Sequence, residues 1–217
     1  MRHGILRWAA LHLLIALGAG LSGAAASSAT APAPTLAARQ LAALILATGN
    51  HAQQPFAIVD KRAALLTLFS AEGHLLASSS VLLGSVIGDH SVPGVGDRAQ
   101  SGQLRPGDAT TPAGRFRSAP GHNHTGESVI WVDPDTAFAI HRLRPGRAHA
   151  DRARRLAARD PARKRVSAGC IVVPVAFYES FVQPLLGRQE GVVYVLPERS
   201  DAAHADLPFT AEQWRTL

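Results

Sequence analysis

The chain has one cysteine among its 217 residues, Cys170, and two lysines, Lys61 and Lys164. A lone cysteine cannot form an internal disulfide. It is buried and inert, paired with another molecule, or reactive. The scarcity of lysine beside abundant arginine and alanine reads as a compositional bias. The net charge of +6 and pI of about 10.6 are therefore not taken as a nucleic-acid signal. The chain also lacks any apolar run of the roughly 20 residues that a membrane-spanning helix needs. It lacks internal repeats, and it lacks the regular strand–helix alternation of a doubly wound fold.

The apolar run nearest to a membrane span, Trp8 to Leu21, is short and follows a segment carrying Arg2 and Arg7 and no acid. Small residues at Ala24 and Ala26 follow it. This is the order of a secretory signal peptide, expected over residues 1–26, with an uncleaved anchor as the alternative. Removing it lowers the formal charge to about +4. The expected location is periplasmic or secreted, where disulfides form and an unpaired thiol matters more. Residues 27–50 read as a linker and a helix, about Thr35 to Thr48, stopped at Gly49. Residues 51–199 form the expected main domain, and 200–217 an unassigned tail.

Within that domain the apolar period shortens to that of strands. Segments at 56–59, 63–69 and 75–83 are separated by turns, with Gly73 expected at positive φ in the second. A long loop is expected over 84–107, and further strands near 115–118, 128–133 and 136–143. Residues 142–165 hold ten arginines or lysines against Asp151 and Asp160, with helical propensity around Asp151 to Arg159. This reads as a solvated face, with an arm over the site as the alternative. An amphipathic helix opened by Pro174 and a strand over Gly191–Glu198 complete a mainly β fold.

Cys170 follows the small residues Ser167, Ala168 and Gly169 and precedes the apolar Ile171, Val172 and Val173. A cysteine nucleophile acts as thiolate and needs a base, and histidine is the natural one. His141 closes the apolar run "TAFAI", at a strand end where a side chain can face a cleft. A turn of small residues lets substrate approach backbone N–H groups, of the kind that steady a developing oxyanion.

The histidine, the "SAGC" turn, the upstream "TPAGRF" and the downstream "GVVYVLPE" together resemble the L,D-transpeptidase catalytic domain (YkuD-like) family. The resemblance runs from about Phe56 to Pro197. It implies a mainly β sandwich with a few short helices, Cys170 as nucleophile and His141 as general base. Ser167 and Gly169 would be the residues shaping the motif, and Thr111, Pro112 and Gly114 the upstream hairpin. Ala168 stands where the family often has His, and Val172 where it commonly has Arg or Asn. The implied reaction is acyl transfer on peptidoglycan stem peptides by a monomer. One alternative passes the acyl group to water, as an L,D-carboxypeptidase or amide hydrolase. Another is a wall-binding module with a decayed site. Arg152, Arg154 and Arg155 are the expected docking residues for stem carboxylates. His122 and His124 with Cys170 are zinc-ligand types, but the resemblance implies no metal, and no cofactor is expected.

Overall fold

The computed structural model describes residues 31–198. The expected signal peptide and the tail at 200–217 lie outside the described residues. A helix, α1 (Leu36–Thr48), comes first. The Thr35 hydroxyl caps it by accepting from the Ala38 N–H at 3.1 Å, and Gly49 ends it at φ 65°, a left-handed conformation that glycine adopts without strain. Ala38, Leu41, Ala42 and Ile45 are buried at helical spacing, so one face of α1 packs and the other is solvated.

Eight strands form the main sheet. In spatial order they are β3 (Leu75–Ser80), β2 (Leu65–Phe69), β1 (Phe56–Asp60), β10 (Gly191–Leu196), β5 (Gly114–His122), β6 (Ser128–Asp133), β7 (Phe138–Arg142) and β9 (Ile171–Val173). β1 with β10 and β7 with β9 are parallel; the other pairs are antiparallel. A short parallel pair, β4 (Leu83–Gly84) with β8 (Arg165–Ser167), lies beside it. Gly73 takes φ 84° in the turn between β2 and β3, as the sequence leads one to expect.

The long strand β5 turns the sheet into a sandwich. Its residues 114–118 pair with β10, and its residues 119–122 pair with β6. The two halves face one core. One half contributes Ala57, Val59, Leu66, Leu68, Val193 and Val195; the other contributes Ile130, Val132, Phe138, Ile140, Ile171 and Val173. Each set alternates along its strands, the period-2 pattern of a half-buried sheet. The opposite face of the first half, with Phe56, Ile58, Val192 and Tyr194, is covered by α1. The fold is mainly β, as expected.

Three segments differ from the expectation. The loop over 84–107 contains a helix, α2 (Val95–Gln100), entered through Gly94 at φ 72°. The helix expected after Pro174 is broken into α4 (Val175–Phe177), a π turn (Tyr178–Val182) and α5 (Gln183–Leu186). Pro184 has no N–H for the carbonyl four residues back and its ring crowds that carbonyl, so the widened turn relieves a conflict a regular helix would carry. The basic stretch forms α3 (His149–Leu156), which starts earlier than expected. Among the described residues no helix is long and apolar enough to cross a membrane.

Candidate active site

Cys170 sits in the turn between β8 and β9, and three contacts fix that turn. The Ser167 hydroxyl donates to the Cys170 carbonyl at 2.6 Å and accepts from the Gly169 N–H at 3.2 Å. Gly169 has φ 124°, and a Cβ there would lie 2.9 Å from the Thr110 carbonyl oxygen, so the position needs glycine twice over. The Thr111 hydroxyl donates to the Gly169 carbonyl at 2.7 Å and accepts from the Gly84 N–H at 2.8 Å. Ser167 and Thr111 thus hold the cysteine turn by its backbone.

Strand register brings His141 and Cys170 to one face. Ile140 pairs with Ile171 and His141 with Val172. Ile140 and Ile171 point into the core, so the alternate residues, Ala139 and His141 on β7 and Cys170 and Val172 on the other chain segment, point away from it. His141 and Cys170 both line a cleft of about 690 Å³, with Arg144, Asn123, His124, Trp131 and the α2 residues Ala99 and Gln100 also on its wall. Cys170 is partly exposed as a residue, and its thiol donates to the Ala137 carbonyl at 3.4 Å. His141 Nδ1 lies 2.8 Å from the Arg142 carbonyl. A carbonyl only accepts, so Nδ1 carries the proton and Nε2 is left with a lone pair.

Both groups rest neutral. Burial, and then the Arg144 charge, hold the His141 imidazole down at about 4. Burial pushes the Cys170 thiol up. The arrangement therefore suits an imidazole that takes the thiol proton as the sulfur attacks, rather than a standing thiolate–imidazolium pair. The depressed imidazole also affects stability. The unfolded chain takes up a proton near pH 6.5, whereas the folded one resists until about 4. Stability should fall as pH drops through that window, by about 3 kcal/mol in total, with no further loss from this group below it and no contribution above it. Denaturant unfolding across pH 7 to 4 checks this. His141→Gln should flatten that part of the slope, and an unchanged slope would remove the assignment.

The helix arginines named from the sequence lie elsewhere. Arg154 and Arg155 bind Asp151 along α3, at 3.4 Å and 2.6 Å. Arg152 is half-buried, and its charge reaches His141. None of the three lines the cleft; of the basic stretch, Arg144 does. The helix packs through Ala153 and Leu156 on Leu82, Leu143 and Val172, which gives Val172 an apolar setting. Lys164 and Arg165, counted with the solvated face, are turned inward: Lys164 is buried with Nζ 2.7 Å from the Ser80 hydroxyl, and Arg165 pairs with Glu198. Trp131 and Ala139 were reachable from the sequence by stepping in twos along β6 and β7. Nothing in the sequence pointed to Arg144, which follows the end of β7. Among the described residues no three His, Cys, Asp or Glu side chains are grouped to hold a metal ion.

No family model and no curated protein matches the chain. Solved structures do. The helical cell shape determining protein Pgp2 from Campylobacter jejuni is similar at 14% identity and a TM-score of 0.43, over 68% of this chain and 49% of that one. The L,D-transpeptidase of Xylanimonas cellulosilytica is similar at 16% identity and a TM-score of 0.40, over 65% of this chain and 60% of that one. The L,D-transpeptidase LdtMt1, solved in complex with imipenem, is similar at 13% identity and a TM-score of 0.39, over 65% and 58%. The chain thus matches about half to three fifths of the length of these proteins. Most of the structures to which it is similar are L,D-transpeptidases.

Proposed function

We propose that this chain is a cysteine acyltransferase of the L,D-transpeptidase type, acting on peptidoglycan stem peptides outside the cytoplasm. The observation that carries the reading is the shared cleft: the only thiol of the chain, in the turn before β9, and a histidine on the adjacent β7 with a free Nε2 lone pair line the same space. The "SAGC" and "TPAGRF" strings point to the same chemistry. His141 Nε2 takes the Cys170 proton as Sγ bonds to the stem carbonyl carbon. The C–N bond to the leaving residue then breaks, and the imidazolium gives its proton to the departing amine. The thioester that remains is attacked by an amine of a second stem, His141 again taking the proton, and the thiol is restored. Ser167, Gly169 and Thr111 act through the shape of the cysteine turn.

The test is to incubate the protein with stem tetrapeptides, with and without an acceptor stem. Intact-protein mass should rise by one acyl group on Cys170, and cross-linked dimers should form when acceptor is present. Shortened stems alone would move the assignment to a carboxypeptidase. Binding with no covalent mass change would leave a wall-binding module and overturn the acyltransferase reading.

A further inference from the structure

Among the described residues, Arg144 is the one arginine or lysine that lines the cleft, and no acid lines it. Its guanidinium is held from one side. Nε donates to Glu127 Oε2 at 2.6 Å, and the largely buried Glu127 uses its other oxygen, Oε1, to accept from Arg142 Nε at 3.2 Å. Arg142 is steadied in turn by Glu179, on the π turn, at 3.0 Å. Glu127 divides its carboxylate between two guanidiniums, so it does not fully neutralise either. Among the described residues Nη1 and Nη2 of Arg144 have no protein partner. The result is an oriented cation with its outer nitrogens unpaired, the geometry that takes a carboxylate by two parallel hydrogen bonds.

We propose that Arg144 receives the α-carboxylate of the amino acid that leaves, so that the cleft selects peptides whose scissile bond is their last. This deepens the acyl-transfer reading and rests on it. Arg144 follows His141 by three residues and shares its wall of the cleft. His141 hands its proton to the departing amine, and the α-carboxylate of that residue is two bonds from the same nitrogen. A cation beside His141 is therefore placed for the end of the leaving residue. Val129, Trp131, Pro134 and Ala137 give the wall an apolar part that suits the peptide body. Arg144 would act as a specificity-determining residue, and Glu127 as the residue that positions it.

The experiment compares a stem tetrapeptide bearing a free C-terminal carboxylate with the same peptide as its C-terminal carboxamide. The wild-type protein should prefer the acid by about 10- to 100-fold in kcat/KM, mostly through KM. Arg144→Gln should bring the acid down to the level of the amide. Arg144→Lys keeps the charge but loses the fork and should retain part of the preference. Glu127→Gln keeps the Arg144 charge and should also narrow the ratio. Binding is measured in parallel on Cys170→Ala, whose affinity should favour the acid and lose that preference when Arg144→Gln is added. Equal treatment of acid and amide by the wild type, an undiminished ratio in Arg144→Gln, or no binding of either peptide would overturn the proposal. Selective binding of the acid without turnover would sustain Arg144 as the carboxylate site and sink the acyl-transfer reading alone. If Arg144→Gln fails to fold, the Arg144→Lys and Glu127→Gln ratios decide the matter.

Discussion

Cys170→Ser is expected to lower stem-peptide turnover by on the order of 10³-fold or more while leaving the fold intact. A hydroxyl is far less acidic than a thiol. The base available to it, His141, is held at about 4 and is too weak to compensate. The fold should survive because the thiol contributes little to it. Its hydrogen bond to the Ala137 carbonyl is one a hydroxyl can also make, and the residue is only partly buried. The turn around it is held by Ser167, Gly169 and Thr111, not by the sulfur. Release of the terminal amino acid gives the rate, and the thermal midpoint gives the fold. Activity within tenfold of wild type would put the chemistry on another group. An unfolded variant would make the thiol structural.

The strands were legible because their period is short and local. Short apolar runs at 56–59, 128–133 and 138–142, bounded by turn residues, are visible without knowing the partner strand, and Gly49 and Gly73 mark ends and turns by their own backbone freedom. Cys170 and His141 could be named because "SAGC" and a strand-end histidine are local strings; that they line one cleft depends on the register of β7 with β9. What stayed hidden was set by distant contacts. Arg144 and Arg152 look alike in a run of ten basic residues, and only packing turns the first toward the cleft. Thr111 read as part of a hairpin, yet its hydroxyl joins Gly84 to Gly169 across two separate segments. The helix in the 84–107 segment carries Gly94 at its start, a residue that in sequence argues for a loop. Even the two lysines gave no sign that both would be buried.

Lys61→Met is expected to be the most destabilising of the substitutions considered, costing about 3–5 kcal/mol. Lys61 follows the end of β1 and is fully buried. Its ammonium reaches the Gly88 carbonyl at 2.7 Å, Asp89 Oδ1 at 2.7 Å and the Thr111 carbonyl at 2.8 Å, three acceptors that use its three protons. Burial pulls its pKa down and Asp89 pulls it back up, as in an ion pair that depends on its partner. A methionine fits the space but gives none of these hydrogen bonds. It leaves two carbonyls without the donor and removes the countercharge from Asp89. The Gly88 and Thr111 segments would loosen together. Because Thr111 also holds Gly169, the cysteine turn should lose its definition, and kcat should fall even at temperatures where the variant is folded. Urea unfolding with an unchanged m-value checks the stability, and single-turnover acylation of Cys170 checks the turn. Part of the cost comes from losing the ion pair itself, so adding Asp89→Asn to Lys61→Met should recover part of it. A loss under 1 kcal/mol in Lys61→Met, or a double variant that is weaker still, would mean that the ion pair does not hold these segments together.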